Sequence, residues 1–300
     1  MLDGLVVVDK PAGCTSHDVV ARLRRVYGQR RVGHAGTLDP DATGVLLVGL
    51  GRATRCLRFL QDEGKTYRGT IGFGIATDTL DAAGAVLEQV PMPIAREDVE
   101  RAMERFVGVI EQVPPMVSAV KVGGRRLHEL ARRGEHVERL ARTVRVDRFA
   151  LESFEPGPYP RATVVVDCTS GTYIRVLAAD LGAALDGCAH LASLRRERVG
   201  AFTLDEAHTL EEIETRAADV VLSPAAAMRG LERITVEGET VRAISHGATF
   251  SASALVGADA GSGPFAVVDE RATLLAIYER RGAGVKPAVV VMPAETETSS

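Results

Sequence analysis

The most informative stretch of this sequence reads Gly33-His34-Ala35-Gly36-Thr37-Leu38-Asp39-Pro40-Asp41-Ala42-Thr43-Gly44-Val45-Leu46. Its glycines and its proline are typical of a tight loop, and the loop leads into an apolar run that predicts a buried strand. Because a residue before proline is restricted to extended conformations, Pro40 limits the backbone of Asp39. The loop can therefore hold one carboxylate in a fixed place. A turn in which Asp39 only hydrogen-bonds nearby amides would have the same composition.

The segments on either side of this loop predict regular structure. Residues 5–8 and 45–48 are short apolar runs that predict buried strands. Between the first strand and the loop, Ser16 is placed to cap a helix, and Gly28 suits the position just after that helix ends. Five arginines lie on this helix or just beyond it: Arg22, Arg24, Arg25, Arg30 and Arg31. A basic helix thus precedes the loop.

The rest of the first 200 residues mixes strands and helices without a regular βαβ repeat. The patterns predict strands at 66–73, 117–122, 143–154 and 163–168, and helices at 96–107, 125–133 and 173–185. This mixture predicts an α+β fold with a mixed, largely antiparallel sheet flanked by helices, rather than a doubly wound parallel sheet.

The length and a change of texture indicate two domains. A chain of 300 residues is long enough for about two. The acidic stretch 209–219 reads as a helix or linker, and beyond residue 231 short strands surround a helix near 240–245. We expect a first domain at 1–230, a small β-rich domain at 231–292 and a disordered tail at 293–300.

The overall charge is mildly acidic but unevenly distributed. There are 36 Lys and Arg against 40 Asp and Glu, and the net charge of −4 argues weakly against a nucleic-acid partner. Residues 1–60 nevertheless hold nine basic and five acidic side chains, and residues 121–150 hold nine and four. These two basic islands are either solvated helix faces or a local track for a polyanion.

Composition also limits the class of protein. With 46% hydrophobic and 25% charged residues, the chain is neither disordered nor fibrous. The N-terminus lacks the features of a signal peptide, and no apolar run approaches the roughly 20 residues that span a bilayer, so we expect a cytoplasmic protein. The four cysteines (Cys14, Cys56, Cys168 and Cys188) include no Cys-x-x-Cys pair. We therefore expect no metal site.

Six motifs together resemble those of the TruB-type tRNA pseudouridine synthases. Besides the Asp39 loop they are, in the order of that family, Lys10-Pro11-Ala12-Gly13-Cys14-Thr15-Ser16, Lys65-Thr66-Tyr67, Pro114-Pro115-Met116-Val117-Ser118-Ala119-Val120-Lys121, Ser170-Gly171-Thr172-Tyr173-Ile174-Arg175 and His190-Leu191-Ala192-Ser193-Leu194-Arg195-Arg196. The resemblance covers about residues 4–203 and implies the pseudouridine synthase fold. It departs at His128, where the family usually has tyrosine, and it is faint in the C-terminal part, which is similar to a small PUA-like domain.

The resemblance implies the isomerisation of uridine 55 in the T loop of tRNA to pseudouridine, without a cofactor. It implies that Asp39 is the catalytic aspartate and that Arg175 pairs with it. The substrate-binding residues that it implies are Tyr67, His34, Tyr173 and Leu194.

The residue types suit that chemistry. Isomerising uridine exchanges a C1′–N1 bond for a C1′–C5 bond, so nothing is oxidised and one nucleophilic carboxylate is enough. A cationic Arg175 nearby would keep Asp39 ionised. Attack on ribose C1′ and attack on ring C6 both remain open. The base must leave the RNA stack before it reacts, and Tyr67 offers a stacking face.

Two other functions fit part of the pattern. One is a non-catalytic RNA-binding or tRNA-folding module, which would have no need of Asp39, Tyr67 and Arg175. The other is a guide-RNA-dependent pseudouridine synthase acting on ribosomal RNA, which the short N-terminus and the lack of a lysine-rich tail disfavour. We therefore expect a monomer whose partner is the T stem-loop of tRNA, with no guide RNA and no membrane. The basic islands, including Lys121, Arg125, Arg126, Arg132 and Arg133 of the second, are candidates for phosphate contacts.

Overall fold

The computed structural model describes residues 2–115, 121–122, 125–126, 137, 139–255, 258 and 261–292. The strands of its N-terminal part are β1 (Gly4–Lys10), β2 (Val32–Ala35), β3 (Thr43–Leu50), β4 (Lys65–Phe73), β5 (Ile75–Thr77), β6 (Val86–Gln89), β7 (Gly108–Gln112), β8 (Lys121–Val122), β9 (Arg125–Arg126), β10 (Arg142–Glu155), β11 (Arg161–Cys168), β12 (Ala189–Val199) and β13 (Phe202–Thr203). The central sheet has the order β1-β3-β12-β4-β11-β10-β7, with β2 on β3 and β13 on β12. Only the β3–β12 pair in it is parallel, which confirms a mixed, largely antiparallel sheet.

Helices pack on both faces of this sheet. The helices are α1 (Ser16–Val26), α2 (Leu57–Gln61), α3 (Arg96–Met103), α4 (Ile174–Ala184), α5 (Leu210–Arg216), α6 (Pro224–Ala227) and α7 (Gly238–Ser245). On the first face, Val6 and Val8 of β1 share a core with apolar residues of α1, α3 and α4. Alternate residues of the same strand, Leu5 and Val7, face a second core on the opposite side. Burial on both faces explains why this strand is a continuous apolar run.

The C-terminal part is β-rich, as predicted. Its strands are β14 (Glu232–Thr235), β15 (Phe250–Ser251), β16 (Phe265–Val268), β17 (Leu274–Arg281) and β18 (Gly284–Val290), in the order β14-β16-β17-β18-β15. Ala266 of β16 and Ile277 of β17 belong to the same core as Leu5 and Val7. The small sheet is therefore packed against the large one through shared apolar contacts. The tail predicted at 293–300 lies outside the described residues.

Two elements differ from the sequence-based predictions. The pattern gave no strand at β12, which is central in the sheet, because three arginines interrupt its apolar alternation. Arg196 is almost fully buried, while Arg195 and Arg198 form ion pairs with Asp9 of β1 and Asp167 of β11, which are each two strands away from β12 in the sheet. The helix predicted at 125–133 is wrong at its start, since Arg125–Arg126 pair with Lys121–Val122 as antiparallel strands. At β12 the charged residues hide the alternation that would predict a strand. At Arg125–Arg126 the pairing with another strand outweighs the helix propensity of the segment.

Candidate active site

Residues of the N-terminal segment hold the loop that carries Asp39. Ser16 does not cap α1: Thr15 does, through a reciprocal capping box with Asp18. The buried Ser16 hydroxyl instead accepts a hydrogen bond from the Leu38 amide at 3.0 Å and donates one to the Leu38 carbonyl at 3.2 Å. The backbone on the N-terminal side of Asp39 is therefore fixed to the first turn of α1.

The residue after Asp39 is fixed by a buried ammonium group. Lys10 has no exposed surface, and its Nζ donates to the carbonyl oxygens of Pro11, Cys14 and Pro40 at 2.8, 2.7 and 2.9 Å. The amide of Gly13 donates to the same Pro40 oxygen at 3.1 Å. Because both neighbours of Asp39 are tied down, its carboxylate is presented by a backbone that has little freedom to move.

Arg175 lies between two carboxylates. It is in the first turn of α4, and its side chain is only 6% exposed. One terminal nitrogen donates to Asp39 Oδ1 at 3.1 Å, and the other donates to Asp81 Oδ2 at 3.2 Å. The second nitrogen also lies 3.5 Å from the Thr79 carbonyl oxygen. The structure thus brings Asp39 and Arg175 together as the resemblance implies, and it adds Asp81.

Asp81 had no role in the sequence analysis. It sits in the turn between β5 and β6, where Leu80 has a φ of 64°. Its Oδ1 accepts hydrogen bonds from the Thr79 hydroxyl at 2.6 Å and from the Ala83 amide at 3.2 Å, which leaves Oδ2 for Arg175. In sequence these residues are typical of an ordinary polar turn, so nothing in the local pattern distinguishes an aspartate that holds an arginine 94 residues away.

The environment of Asp39 works in two directions on its pKa. Burial raises the pKa of Asp39 above its ordinary value, and the Arg175 guanidinium opposes this by favouring the charged form. The Asp81 carboxylate raises the pKa further, and Lys10 lowers it. Asp39 is thereby a partly desolvated carboxylate whose ionised form depends on Arg175, which is a suitable environment for a nucleophile.

A pocket of about 250 Å³ opens beside this pair. Its wall includes Asp39 and Arg175 together with Tyr67, Tyr173 and Leu194, so it gathers five of the six expected site residues. Leu191 and Ile174 add apolar surface to the same wall. A small pocket that combines apolar walls with one carboxylate and two tyrosines can enclose a flat, polar ring and present it to a nucleophile.

Tyr67 lies on β4 with its side chain almost fully buried in this wall. Burial raises the pKa of Tyr67, and Arg196, which hydrogen-bonds the phenol, acts in the opposite direction. Arg196 was not assigned a role from the sequence. Its guanidinium also donates to the carbonyl oxygens of Val45 at 2.7 Å and Gly36 at 3.1 Å. One buried arginine therefore fixes the aromatic ring relative to the loop that carries Asp39.

Tyr173 and Leu194 line the pocket from two different elements. Tyr173 precedes α4, and its amide donates to Gln112 Oε1 at 2.9 Å while its carbonyl accepts from Gln112 Nε2 at 3.3 Å. Leu194 lies on β12, next to Arg195 and Arg196. Since Gln112 is on β7 at the far edge of the sheet, the position of Tyr173 depends on tertiary structure that is remote in sequence.

His34 does not line the pocket. It lies on β2, and its ring packs edge-on against the ring of His17 with 5.3 Å between centroids. Its Nδ1 is buried without a hydrogen-bond partner among the described residues. Burial, reinforced by His17 and Arg196, lowers the pKa of His34 to about 4, so the ring is neutral at physiological pH. This arrangement suits contact with a base outside the pocket rather than acid–base chemistry inside it.

Some arginines of the first basic island, predicted as candidates for phosphate contacts, instead bind groups of the protein itself. Arg22 donates to Glu214 at 2.7 Å and to Glu211 at 3.0 Å, which joins α1 to α5. Arg24 donates to the Val32 carbonyl oxygen at 3.1 Å. Arg25 is exposed, as are Arg30 and Arg31. Five basic side chains of the second island lie outside the described part of the chain, as does His128; they are those of Lys121, Arg125, Arg126, Arg132 and Arg133.

Comparison with known proteins decides the family. Residues 24–174 match the N-terminal domain model of the TruB family of pseudouridylate synthases, and residues 175–228 match the C-terminal domain model of tRNA pseudouridylate synthase B. The chain belongs to the TruB family of pseudouridylate synthases. The expected enzyme class is therefore confirmed.

Individual relatives agree with this assignment. The chain is 50% identical to a tRNA pseudouridine synthase B from Symbiobacterium thermophilum over 82% of both chains. It is 47% identical to one from Thermobifida fusca, over 97% of this chain and 99% of that one. A solved Cbf5–Nop10–Gar1 complex contains a chain of the same fold, with a TM-score of 0.76 and 26% identity over 97% of this chain and 85% of that chain. The structural match confirms the predicted fold class.

Among the described residues, no helix is long and apolar enough to span a membrane.

Proposed function

We propose that this enzyme isomerises uridine 55 in the T loop of tRNA to pseudouridine, with Asp39 as the nucleophile. Relatives of nearly the same length are tRNA pseudouridine synthases B, which supports tRNA as the substrate. The observation that carries the proposal is the single pocket in which Asp39, paired with Arg175 at 3.1 Å, faces the buried ring of Tyr67.

The reaction balances without any co-reactant. The C1′–N1 bond of the nucleoside breaks, the freed uracil turns, and C5 bonds to C1′. C5 then loses its proton and N1 carries one, so the product is an isomer of the substrate. Asp39 assists by covalent attack, either on ribose C1′ or on ring C6. Because the overall change is neither a redox step nor a transfer between molecules, we propose that no cofactor takes part.

Flipping of the base is a necessary first step in this proposal. The pocket is too narrow for a stacked duplex, so the uridine must enter it alone, at a cost of a few kcal/mol for unstacking. Tyr67 would recover about 1–3 kcal/mol by stacking on the base. Leu194 and Tyr173 would line its edges, while His34, outside the pocket, would contact the RNA that stays behind.

The RNA itself would lie along the exposed arginines. The side chains of Arg25, Arg30 and Arg31 are exposed and form no hydrogen bond or ion pair with the described residues, so they are available to phosphates. We propose a monomer that needs no guide RNA and works in the cytoplasm, where its substrate is found. The pocket is lined only by residues between 36 and 196, which supports the proposed catalytic domain at 1–230, with 231–292 as an accessory domain.

An assay with purified protein tests this function. Unmodified tRNA transcript, without guide RNA or cofactor, is incubated with the enzyme, and pseudouridine is mapped along the RNA. Product at uridine 55 is expected, and Asp39→Asn should abolish it while the dissociation constant for tRNA changes by less than about tenfold, because an amide is a poor nucleophile. A product at another position would refute the assignment of the substrate site. Full activity of Asp39→Asn would refute the assignment of the nucleophile.

The same assay addresses the two alternative functions. A non-catalytic RNA-binding module would bind the transcript and yield no pseudouridine. A guide-dependent enzyme would yield product only after a guide RNA is added. The Asp39–Arg175 geometry disfavours the non-catalytic module, and the 47–50% identity to tRNA pseudouridine synthases B disfavours the guide-dependent enzyme.

A further inference from the structure

The pocket wall carries more positive charge than is needed to balance the carboxylate of Asp39. Its charged side chains are one carboxylate, Asp39, and three cations, Lys65, Arg175 and Arg196. Burying a cation is costly unless its donors are satisfied. Arg175 is occupied by Asp39 and Asp81, and Arg196 by loop carbonyls and Tyr67. Lys65 is left as the cation whose purpose neither pairing explains.

The ammonium group of Lys65 has one N–H that is not used within the part of the protein that the structure describes. Its ammonium donates to the carbonyl oxygens of Gln61 and Glu63, both at 2.9 Å, and the residue is only 6% exposed. An ammonium has three N–H groups, and the third forms no hydrogen bond with a described residue. Lys65 lies on the same face of β4 as Tyr67, two residues along the strand, and lines the same pocket. A buried N–H in a base pocket, without a protein acceptor, is suited to an oxygen of the substrate.

A structural role accounts for only part of this arrangement. Gln61 is the last residue of α2, so Lys65 caps the C-terminal end of that helix. A cap explains two of the three N–H groups. It does not explain why a charged group stands in the wall of the pocket, where burial lowers the pKa of Lys65 to about 8.

The reaction creates negative charge where such a donor would act. When the C1′–N1 bond breaks, both electrons pass to N1 and delocalise onto the uracil carbonyl oxygens O2 and O4. Attack of Asp39 on C6 would also drive electrons toward O4. In both routes, formation of the C1′–C5 bond followed by loss of the C5 proton removes this charge. An N–H donor on a carbonyl oxygen is thus worth more in the transition state than in the bound substrate.

We propose that Lys65 is a further catalytic residue, whose third N–H binds a carbonyl oxygen of the flipped uracil and stabilises the negative charge that the ring acquires. The proposal rests on the function proposed above. Lys65 keeps its protons throughout, so it acts as an electrostatic group and not as the acid or base of the reaction.

The test compares Lys65→Met with the wild type on two substrates under single-turnover conditions. The substrates are tRNA with uridine, and tRNA with 5-fluorouridine, at position 55. Fluorine withdraws electrons and stabilises the uracil anion by itself. Because C5–F cannot release a proton, the rate is read from the disappearance of the substrate nucleoside after digestion. Removing one donor to a developing oxyanion typically slows a reaction about 10²- to 10³-fold, so we expect this loss on uridine and a loss at least tenfold smaller on 5-fluorouridine.

Two further variants separate charge from structure. Lys65→Gln keeps a neutral donor and should lose most of the rate, whereas Lys65→Arg keeps the charge and should recover most of it. Lys65→Gln is also the substitute if Lys65→Met fails to fold by circular dichroism. Lys286→Met makes the same change at an exposed lysine of β18, outside the pocket, and should behave as the wild type.

Several results would overturn the proposal. An equal loss on both substrates would indicate that Lys65 only supports the fold, and a loss below threefold on uridine would show that its charge is not used. If the wild type itself leaves uridine 55 unchanged, the proposed function fails and the role of Lys65 fails with it. A defect confined to Lys65 variants, with an active wild type, concerns Lys65 alone.

Discussion

Asp81 offers the sharpest test of how the site is built. Its Oδ2 accepts a hydrogen bond of 3.2 Å from Arg175, and the two side chains are 21% and 6% exposed, so solvent screens this contact only weakly. Arg175 in turn holds Asp39. If Asp81 fixes the guanidinium, its removal should reduce the rate of the chemical step although Asp81 is not the nucleophile.

The size of the effect follows from the chemistry of the contact. A hydrogen bond to a charged group contributes about 1.5–3 kcal/mol, and Asp81→Ala removes it entirely. At about 1.4 kcal/mol for each tenfold change in rate, the single-turnover rate should fall about 10- to 150-fold. Asp81→Asn keeps a neutral acceptor worth about 0.5–1.5 kcal/mol, so its loss should be about 5- to 15-fold.

The pH dependence should move in a direction that misfolding would not produce. The Asp81 carboxylate raises the pKa of Asp39, so its neutralisation lowers that pKa. In the proposed function Asp39 attacks as the ionised carboxylate, so the rate should fall as the pH drops through the pKa of Asp39. In Asp81→Asn the plateau should be lower, and the acid limb should lie at lower pH than in the wild type.

Release of tritium from tRNA labelled at C5 of uridine measures this rate, since that hydrogen is lost in the reaction. Asp78→Asn, in the same turn, is the matched control, because Asp78 accepts from the Ala85 amide and does not contact Arg175 among the described residues. A rate for Asp81→Ala within threefold of the wild type would refute the role given to this contact. An acid limb that moves to higher pH in Asp81→Asn would refute the electrostatic reasoning.

Three further predictions concern stability and RNA binding. Burial raises the pKa of Asp39, so the charged carboxylate destabilises the folded state relative to the unfolded state. At pH 8 the Asp39→Asn variant should therefore melt at a higher temperature than the wild type. This difference should vanish at a pH low enough to protonate Asp39 in both the folded and the unfolded state. Lys10→Met removes three buried hydrogen bonds and should cost at least about 2 kcal/mol, which thermal melts would register as a drop of about 4 °C or more; a smaller drop would contradict its structural role. Arg25→Gln should reduce the salt dependence of tRNA binding by about one ion, whereas Arg22→Gln should leave it unchanged, because Arg22 is held by Glu211 and Glu214; equal effects of both variants would contradict this distinction.

Much of the fold was predictable from local patterns. The apolar runs at 5–8 and 45–48 lie in β1 and β3, both buried in the central sheet, and Gly28 follows α1 with a φ of 58°. These signals are reliable because burial on both faces of a strand and a left-handed residue after a helix each require particular residue types. The local pattern does not predict β12, because the strand is interrupted by arginines whose hydrogen-bond and ion-pair partners lie in other segments of the chain.

The candidate site divides in the same way. Local patterns predict an aspartate held before a proline at Asp39, a strand at Tyr67 and the start of a helix at Arg175, and the motifs that contain these residues indicate the family. The folded chain alone shows that Asp81 holds Arg175, that Lys65 and Arg196 line the same pocket, and that His34 lies outside it. Burial and neighbours in space set both the nucleophilicity of a carboxylate and the free-energy cost of a buried ammonium group. The sheet brings such neighbours together from segments more than a hundred residues apart.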